Sequence, residues 1–295
     1  MIAPKPSRHV ACARLRSPPA TAKRSRPALA LAAVCLCAVA YADQEPVLIP
    51  FWDASDETNG AVIDHTPWQA LLSTYLAPHA SGVNRFDYAA LKADADGLAR
   101  LNAYLDALQA LDPRSYARAE QRPYWINFYN ALTVKVVTDA YPVGTIKSIH
   151  EGWIPLTGPW GDVHARVAGQ DLTLDNIEHG ILRPIWPDGR IHYAVNCASI
   201  GCPNLATEVY TAANMERLLE AGAREYVNHP RGVDIVDEDF MVISSIYDWW
   251  ILDFGNSEEG VLEHLIKYAD GELAAKLKDF AGAIDYDYDW DLNQP

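Results

Sequence analysis

No G-x-G-x-x-G, P-loop, G-x-S-x-G or H-E-x-x-H string occurs in this chain of 295 residues. Dinucleotide binding, P-loop nucleotide hydrolysis, the α/β-hydrolase reaction and zincin chemistry therefore have no motif behind them. Basic charge is scarce beyond residue 42. Seven of the 24 Lys and Arg lie before that point, where no acid occurs, so the rest of the chain sets 17 basic residues against 39 acidic ones. A surface that acidic repels phosphate backbones, which argues against nucleic acid or an anionic membrane as partner. A long apolar span is also missing: residues 28–40 number thirteen and rise only about 20 Å as a helix, against a hydrocarbon core of about 30 Å. Repeats and low-complexity blocks are absent from 65–295. What is present, 49% hydrophobic, 21% charged and 10% aromatic residues, suffices for a sizeable core and excludes collagen-like, disordered and small disulfide-scaffold classes.

The order of the first segment is that of an export leader. A basic stretch ends at Arg26, the small apolar run follows, and Ala40-Tyr41-Ala42 supplies an A-x-A site ahead of Asp43. Residues 1–42 are expected to be a signal peptide cleaved near Ala42, leaving a periplasmic or secreted protein with no stable membrane span. Cleavage removes Cys12, Cys35 and Cys37, so only Cys197 and Cys202 remain for an oxidising compartment. Residues 43–64 lack a helical period and read as a flexible polar lead-in.

From there to residue 295 the pattern predicts one α+β domain, several helices packed on a small, mostly antiparallel sheet. Trp68, Leu71, Leu72 and Tyr75 share one helical face, and Leu98, Leu101, Leu105, Leu108 and Leu111 form the stripe of another helix halted at Asp112-Pro113. Pro123 at a first helical position, then Trp125, Phe128, Leu132 and Val136, predicts a strong helix ending at Tyr141-Pro142. Asn127 and Asn130 lie on one side of it, and Tyr129 borders its apolar stripe. Residues 147–169 form a long irregular segment rich in Trp, Pro and Gly, including Trp160. Thr173 caps a helix bearing Leu174, Ile177 and Ile181, with Glu178 and His179 beside that face. Residues 191–196 read as a strand entering a tight loop at Cys197, 233–236 and 240–244 as a hairpin, and 285–292 as a terminal strand with an acidic face. Helices are also expected from Thr211 and around Val261, Leu265 and Tyr268.

Several strings in order resemble the DUF547 family, a domain of unknown function. They are Tyr124-Trp125-Ile126-Asn127-Phe128-Tyr129-Asn130, Ile177-Glu178-His179-Gly180-Ile181-Leu182-Arg183, and Val195-Asn196-Cys197 running on to Gly201-Cys202-Pro203-Asn204. Trp249-Trp250, Asp253-Phe254-Gly255 and Tyr288-Asp289-Trp290 extend the resemblance, which spans 68–293. The resemblance implies a fold sooner than a function. Such domains look like distant relatives of papain-like and transglutaminase-like thiol enzymes, yet the core-helix candidate here holds no cysteine, unlike the nucleophile-bearing helix of those enzymes.

The chemistry converges on Cys197. A thiol nucleophile needs an imidazole or a helix N-terminus to lower its pKa. His179 and His192 are the candidate bases, with Glu178 or Asn127 as orienting groups and Asn127 also as an oxyanion contact. Fully extended, residues 192–197 would separate His192 from Cys197 by roughly 16 Å, so the chain must double back or the base must come from elsewhere. Tyr129, Asn130, Trp160, Asn196 and Ser199 are the candidate binding residues around an unknown small molecule or peptide. Two readings compete: a thiol-dependent hydrolase or acyl transferase acting on amide or ester bonds, and a non-catalytic binding module held by a Cys197-Cys202 disulfide. No cofactor is expected; zinc on His179, His192, Cys197 and Cys202 is the metal option at this site, and its H-x4-C-x4-C spacing lacks a CxxC. Oligomeric state has no signal in the sequence.

Overall fold

A computed structural model of the chain describes residues 45–150 and 157–295, and the leader expected at 1–42 lies outside them. Where it is described, the lead-in is a strap rather than a loose polar tether. Trp52 is 2% exposed and Ile63 is buried, Trp52 packs edge-on to Trp125 at 5.0 Å, and the Ile49 N–H donates to the Gly180 carbonyl at 2.9 Å. A few apolar side chains scattered among polar ones show no period, yet each occupies a slot in the core.

Helix α1 (Thr66–Tyr75) buries Trp68, Leu71, Leu72 and Tyr75, as their spacing requires. Strands β1 (Leu76–Ala77) and β2 (Arg85–Phe86) pair antiparallel. Helix α2 (Tyr88–Ala93) starts at Asp87 and α3 (Ala95–Ala110) at Asp94, each aspartate accepting an amide of its own first turn. The central helix α4 (Arg118–Ala140) begins a turn before the expected start, so Pro123 lies inside it. Tertiary bonds hold that early turn where proline removes a donor: Gln121 Nε2 donates to the carbonyls of Ala54 and Tyr116, and Arg118 reaches Asp53. The side chains from Gln121 to Val134 are all buried, so α4 is sheathed on every side.

The long segment before Thr173 ends in a hairpin, β3 (Ala165–Val167) and β4 (Gln170–Leu172). Thr173 and Asn176 form the capping box of α5 (Leu174–Ile177). The helix then widens into one π turn, Glu178–Leu182, before α6 (Arg183–Ile185). The strand expected at 191–196 is absent: Gly189–Tyr193 is a 3-10 turn, opened by Asp188 accepting the Arg190 amide. The β-prone residues Ile191, Tyr193 and Val195 do not make a strand here because the stretch is buried on all sides and tertiary packing overrides local propensity.

Helix α7 (Met215–Val227) follows, then β5 (Val233–Ile235), β6 (Phe240–Ser244) and α8 (Ile246–Trp249). Helix α9 (Glu258–Tyr268) is succeeded by α10 (Gly271–Asp279), which the sequence reading left out, and by β7 (Ala283–Asp287). β5 and β6 form the expected hairpin, with Asp234 opposite Val242. β7 joins β6 in parallel with Asp285 opposite Val242 and stops at Asp287, so the acidic strand is shorter than expected. The result is the expected α+β domain with small, mostly antiparallel sheets. One core surrounds α4, and a second lies between the three-stranded sheet, α7 and α9. Tyr193 belongs to the second core while Ala194, Val195 and Ala198 belong to the first, which puts the Cys197 loop at their junction. Among the described residues no helix is long and apolar enough to cross a membrane.

Candidate active site

The loop carrying Cys197 is fixed by amide side chains. Asn130 of α4 accepts the Asn196 N–H at 2.8 Å and donates to the Ala194 carbonyl at 2.9 Å. Asn196 in turn accepts the Ala198 N–H at 2.9 Å and donates to the Pro203 carbonyl at 2.7 Å, which holds Ala198 at φ 61°. The C-terminal tail then closes on the loop: the N–H groups of Ile200 and Gly201 donate to the carbonyls of Asp291 and Asp289, and that of Asn293 donates to Ala198. Gly201 allows this approach, since a Cβ there would stand 2.8 Å from the Asp289 nitrogen.

The tail delivers Tyr288. Its hydroxyl lies 2.9 Å from Cys197 Sγ, and Ser199 Oγ lies 3.1 Å from the same sulfur. The neighbouring Cys202 thiol and Ser199 amide also favour the anion. Burial works to raise the Cys197 thiol, but these donors outweigh it and hold the group below the ordinary thiol range. Cys202 is its complement: burial and the neighbouring Cys197 push it well up, so it stays protonated. The sulfur faces a cleft of about 560 Å³ walled by Tyr129, Trp160, Trp249, Trp250 and Trp290. Trp249 and Trp290 stack at 5.5 Å, and Trp290 leans on Tyr288 at 4.6 Å.

The π turn contributes Glu178 and His179 to the same cleft. Glu178 Oε1 lies 3.4 Å from His192 Nδ1, and Asp253 Oδ2 lies 2.7 Å from His192 Nε2. Burial opposes a charge on His192, but the two carboxylates more than compensate and raise its pKa. Arg183 Nε bonds the same Asp253 oxygen at 2.5 Å, and its guanidinium lies 4.7 Å from the centre of the Trp250 ring. Burial works to raise both carboxyls. His179 and His192 bring Glu178 down to about 2, and His192 and Arg183 bring Asp253 to about 2. His179 sits against Trp250 at 4.4 Å and is lowered to about 4, chiefly by burial. Its Nδ1 faces Arg183 Nη1 at 3.2 Å. Arginine only donates, so Nδ1 is the acceptor and Nε2 carries the proton, toward Asp175 Oδ1 at 3.8 Å. Asp175 is itself raised to about 6 by burial and by Glu178.

Residues 113–227 match the DUF547 family, a protein of unknown function. No curated protein and no solved structure matches the chain. The DUF547 segment contains Tyr129, Glu178, His179, His192, Cys197 and Cys202; Trp250, Asp253 and Tyr288, which complete the site, lie beyond it.

Of the residues singled out in the sequence, Cys197, His179, His192, Glu178, Tyr129 and Trp160 meet around the cleft. Asn127 does not. Its side chain both donates to the Tyr210 carbonyl and accepts the Tyr210 N–H, at 2.7 and 3.1 Å, so it pins the 205–214 segment and has no oxyanion role. Asn130 and Asn196 shape the DUF547 loop from beneath, and Ser199 is buried behind the sulfur. Neither histidine is placed as a base for Cys197, because both nitrogens of His192 face carboxylates and the one lone pair of His179 faces Arg183. The expected disulfide is not formed: Cys197 and Cys202 are free thiols, and the Cys197 amide donates to Cys202 Sγ at 3.0 Å. Nor do His179, His192, Cys197 and Cys202 assemble around a zinc position; among the described residues no three such groups gather. Tyr288, Asp253 and Trp250 were missed as site residues, although each stands in a string that carried the resemblance.

Proposed function

We propose that the protein is a thiol-dependent hydrolase or acyl transferase acting on amide or ester bonds, with Cys197 as nucleophile. One observation carries this reading: the Cys197 sulfur, on the wall of the cleft, stands 2.9 and 3.1 Å from the hydroxyls of Tyr288 and Ser199. A thiolate held in this way needs no histidine to deprotonate it. It attacks the acyl carbon, the bond to the leaving amine or alkoxide breaks, and water or a second nucleophile then cleaves the thioester. Asp175 supports the reading as the cleft carboxyl that still carries a proton near pH 6, the proton a leaving group takes. The buried His192 ring, held between Glu178 and Asp253, contributes to the shape and potential of the cleft.

The test uses an activated ester, p-nitrophenyl acetate, on the full chain. Trypsin releases residues 191–217 as one peptide that holds Cys197 and Cys202 and no other cysteine. The expected result is a burst of nitrophenol with an acetyl group on Cys197 in that peptide, lost in Cys197→Ala. Acetylation confined to lysines, with Cys197→Ala indistinguishable, removes the proposal.

A further inference from the structure

Cys202 forms no bond to substrate in the proposed acyl chemistry, yet it is buried against the nucleophile with a sulfur 3.0 Å from the Cys197 amide nitrogen. Four residues separate the two cysteines, the Cys202 N–H donates back to the Ser199 carbonyl at 3.2 Å, and Ala198 supplies the left-handed bend that returns the chain. Both cysteines border the cleft, but Cys197 is the more open of the two, while Cys202 is 5% exposed. We propose that this loop is an oxidation site, in which a hydroperoxide oxidises Cys197 and Cys202 resolves the product as an intramolecular disulfide.

The chemistry balances. The Cys197 thiolate attacks one oxygen of the hydroperoxide; the O–O bond breaks, sulfur gives up two electrons, and a proton completes the released alcohol or water. Cys197 is then a sulfenic acid. Cys202, relieved of the anion beside it, yields its proton and attacks that sulfur; the S–O bond breaks and the hydroxide leaves as water with that proton. An external dithiol returns both sulfurs to thiols by exchange. Cys202 thus has a second use besides its hydrogen bond: it intercepts the sulfenic acid before further oxidation makes the loss of the nucleophile permanent. The inference shares the Cys197 thiolate with the proposed function but needs no acyl substrate.

The experiment adds hydrogen peroxide in small excess to the full chain, blocks free thiols with iodoacetamide, and weighs the 191–217 peptide, with fragment spectra separating the cysteines from Met215. The expected result is a peptide about 2 Da lighter that recovers its mass with dithiothreitol. Cys202→Ser stops at a sulfenic acid on Cys197, captured by dimedone, and Cys197→Ser leaves Cys202 as a thiol at the same dose. Conversion of the wild type to sulfinic or sulfonic acid without the lighter peptide overturns the inference, as does a disulfide joining Cys197 to Cys12, Cys35 or Cys37. A Cys197 that alkylates readily but ends as sulfinic acid removes this inference alone, whereas one that takes no acetyl group yet forms the disulfide removes only the acyl chemistry.

Discussion

Tyr288→Phe removes one oxygen from the site and leaves the ring, taking away the 2.9 Å contact to the Cys197 sulfur together with the 3.0 Å bond that Ser199 Oγ donates to the same hydroxyl. A hydrogen bond to a charged group in a protein contributes about 1.5 to 3 kcal/mol. At about 1.4 kcal/mol per factor of ten, the ratio of thiolate to thiol falls roughly ten- to a hundredfold in the variant. Burial, which already opposes the charge, then meets one donor fewer, with Ser199 and Cys202 still in place. The sign follows: losing a donor to the anion moves the thiol toward higher pH. The assay is the rate of iodoacetamide alkylation of the 191–217 peptide between pH 5 and 9, with cold quenching before digestion. The wild-type rate levels off below the ordinary thiol range, and the variant curve lies at higher pH. Stability changes little, because Tyr288 keeps its packing on Trp249 and Trp290 at 4.9 and 4.6 Å. Superimposable alkylation curves would refute the claim that hydroxyl donors hold the thiolate, and with it the basis of the proposed function.

Gly201→Ala reaches the same sulfur by another route. Its Cβ meets Asp289 backbone atoms at 2.8 and 2.9 Å, so the tail shifts, stability falls by about 1 to 3 kcal/mol, and Cys197 alkylation near neutral pH slows. Asn130→Ala leaves the Asn196 N–H and the Ala194 carbonyl without partners. At about 1 to 3 kcal/mol for each buried orphan, urea melts should show a loss of roughly 2 to 6 kcal/mol. His65, His179 and His264 are each lowered from 6.5 to about 4 by burial, so the unfolded chain takes up protons first and stability falls as pH drops from 6.5 to about 4. Asp175, raised to about 6, opposes this in the same window and, being half exposed, offsets only part of it. Glu178 and Asp253, held at about 2, lose their contributions only as the pH falls from their ordinary values toward 2. His192 acts on the other limb, its contribution fading as pH rises through its raised pKa. A thermal-melt series across pH 4 to 8 checks the balance, and a Tm that rises as pH falls from 6.5 to 4 contradicts it.

What could be read from the sequence was whatever has a local cause. The stripes on α1 and α3, the cap at Thr173 and the hairpin of β5 and β6 are set by neighbours a few residues apart, and they appear as expected. Asn127 and Asn130 show the limit. Two asparagines on one helical face signal side-chain bonding, but only the fold reveals that one binds Tyr210 and the other the Cys197 loop. Cys197 could be found because thiols are few. Its partner Tyr288 could not, because 91 positions separate them and the link depends on three backbone bonds from the tail. His192 was chosen for the right place and the wrong role: a histidine in a sequence says nothing about which carboxylates will enclose it.

The order in which the thiolate acquires its donors has a further consequence. Ser199 and Cys202 are synthesised within moments of Cys197, but Tyr288 comes much later, and it arrives at the sulfur only when residues 289–293 have stitched onto the loop. Until then, a chain in the course of folding carries a weaker nucleophile, less able to acylate itself or to join a neighbour through a stray disulfide. Full thiol reactivity therefore appears only once residues 288–293 have paired with the Cys197 loop.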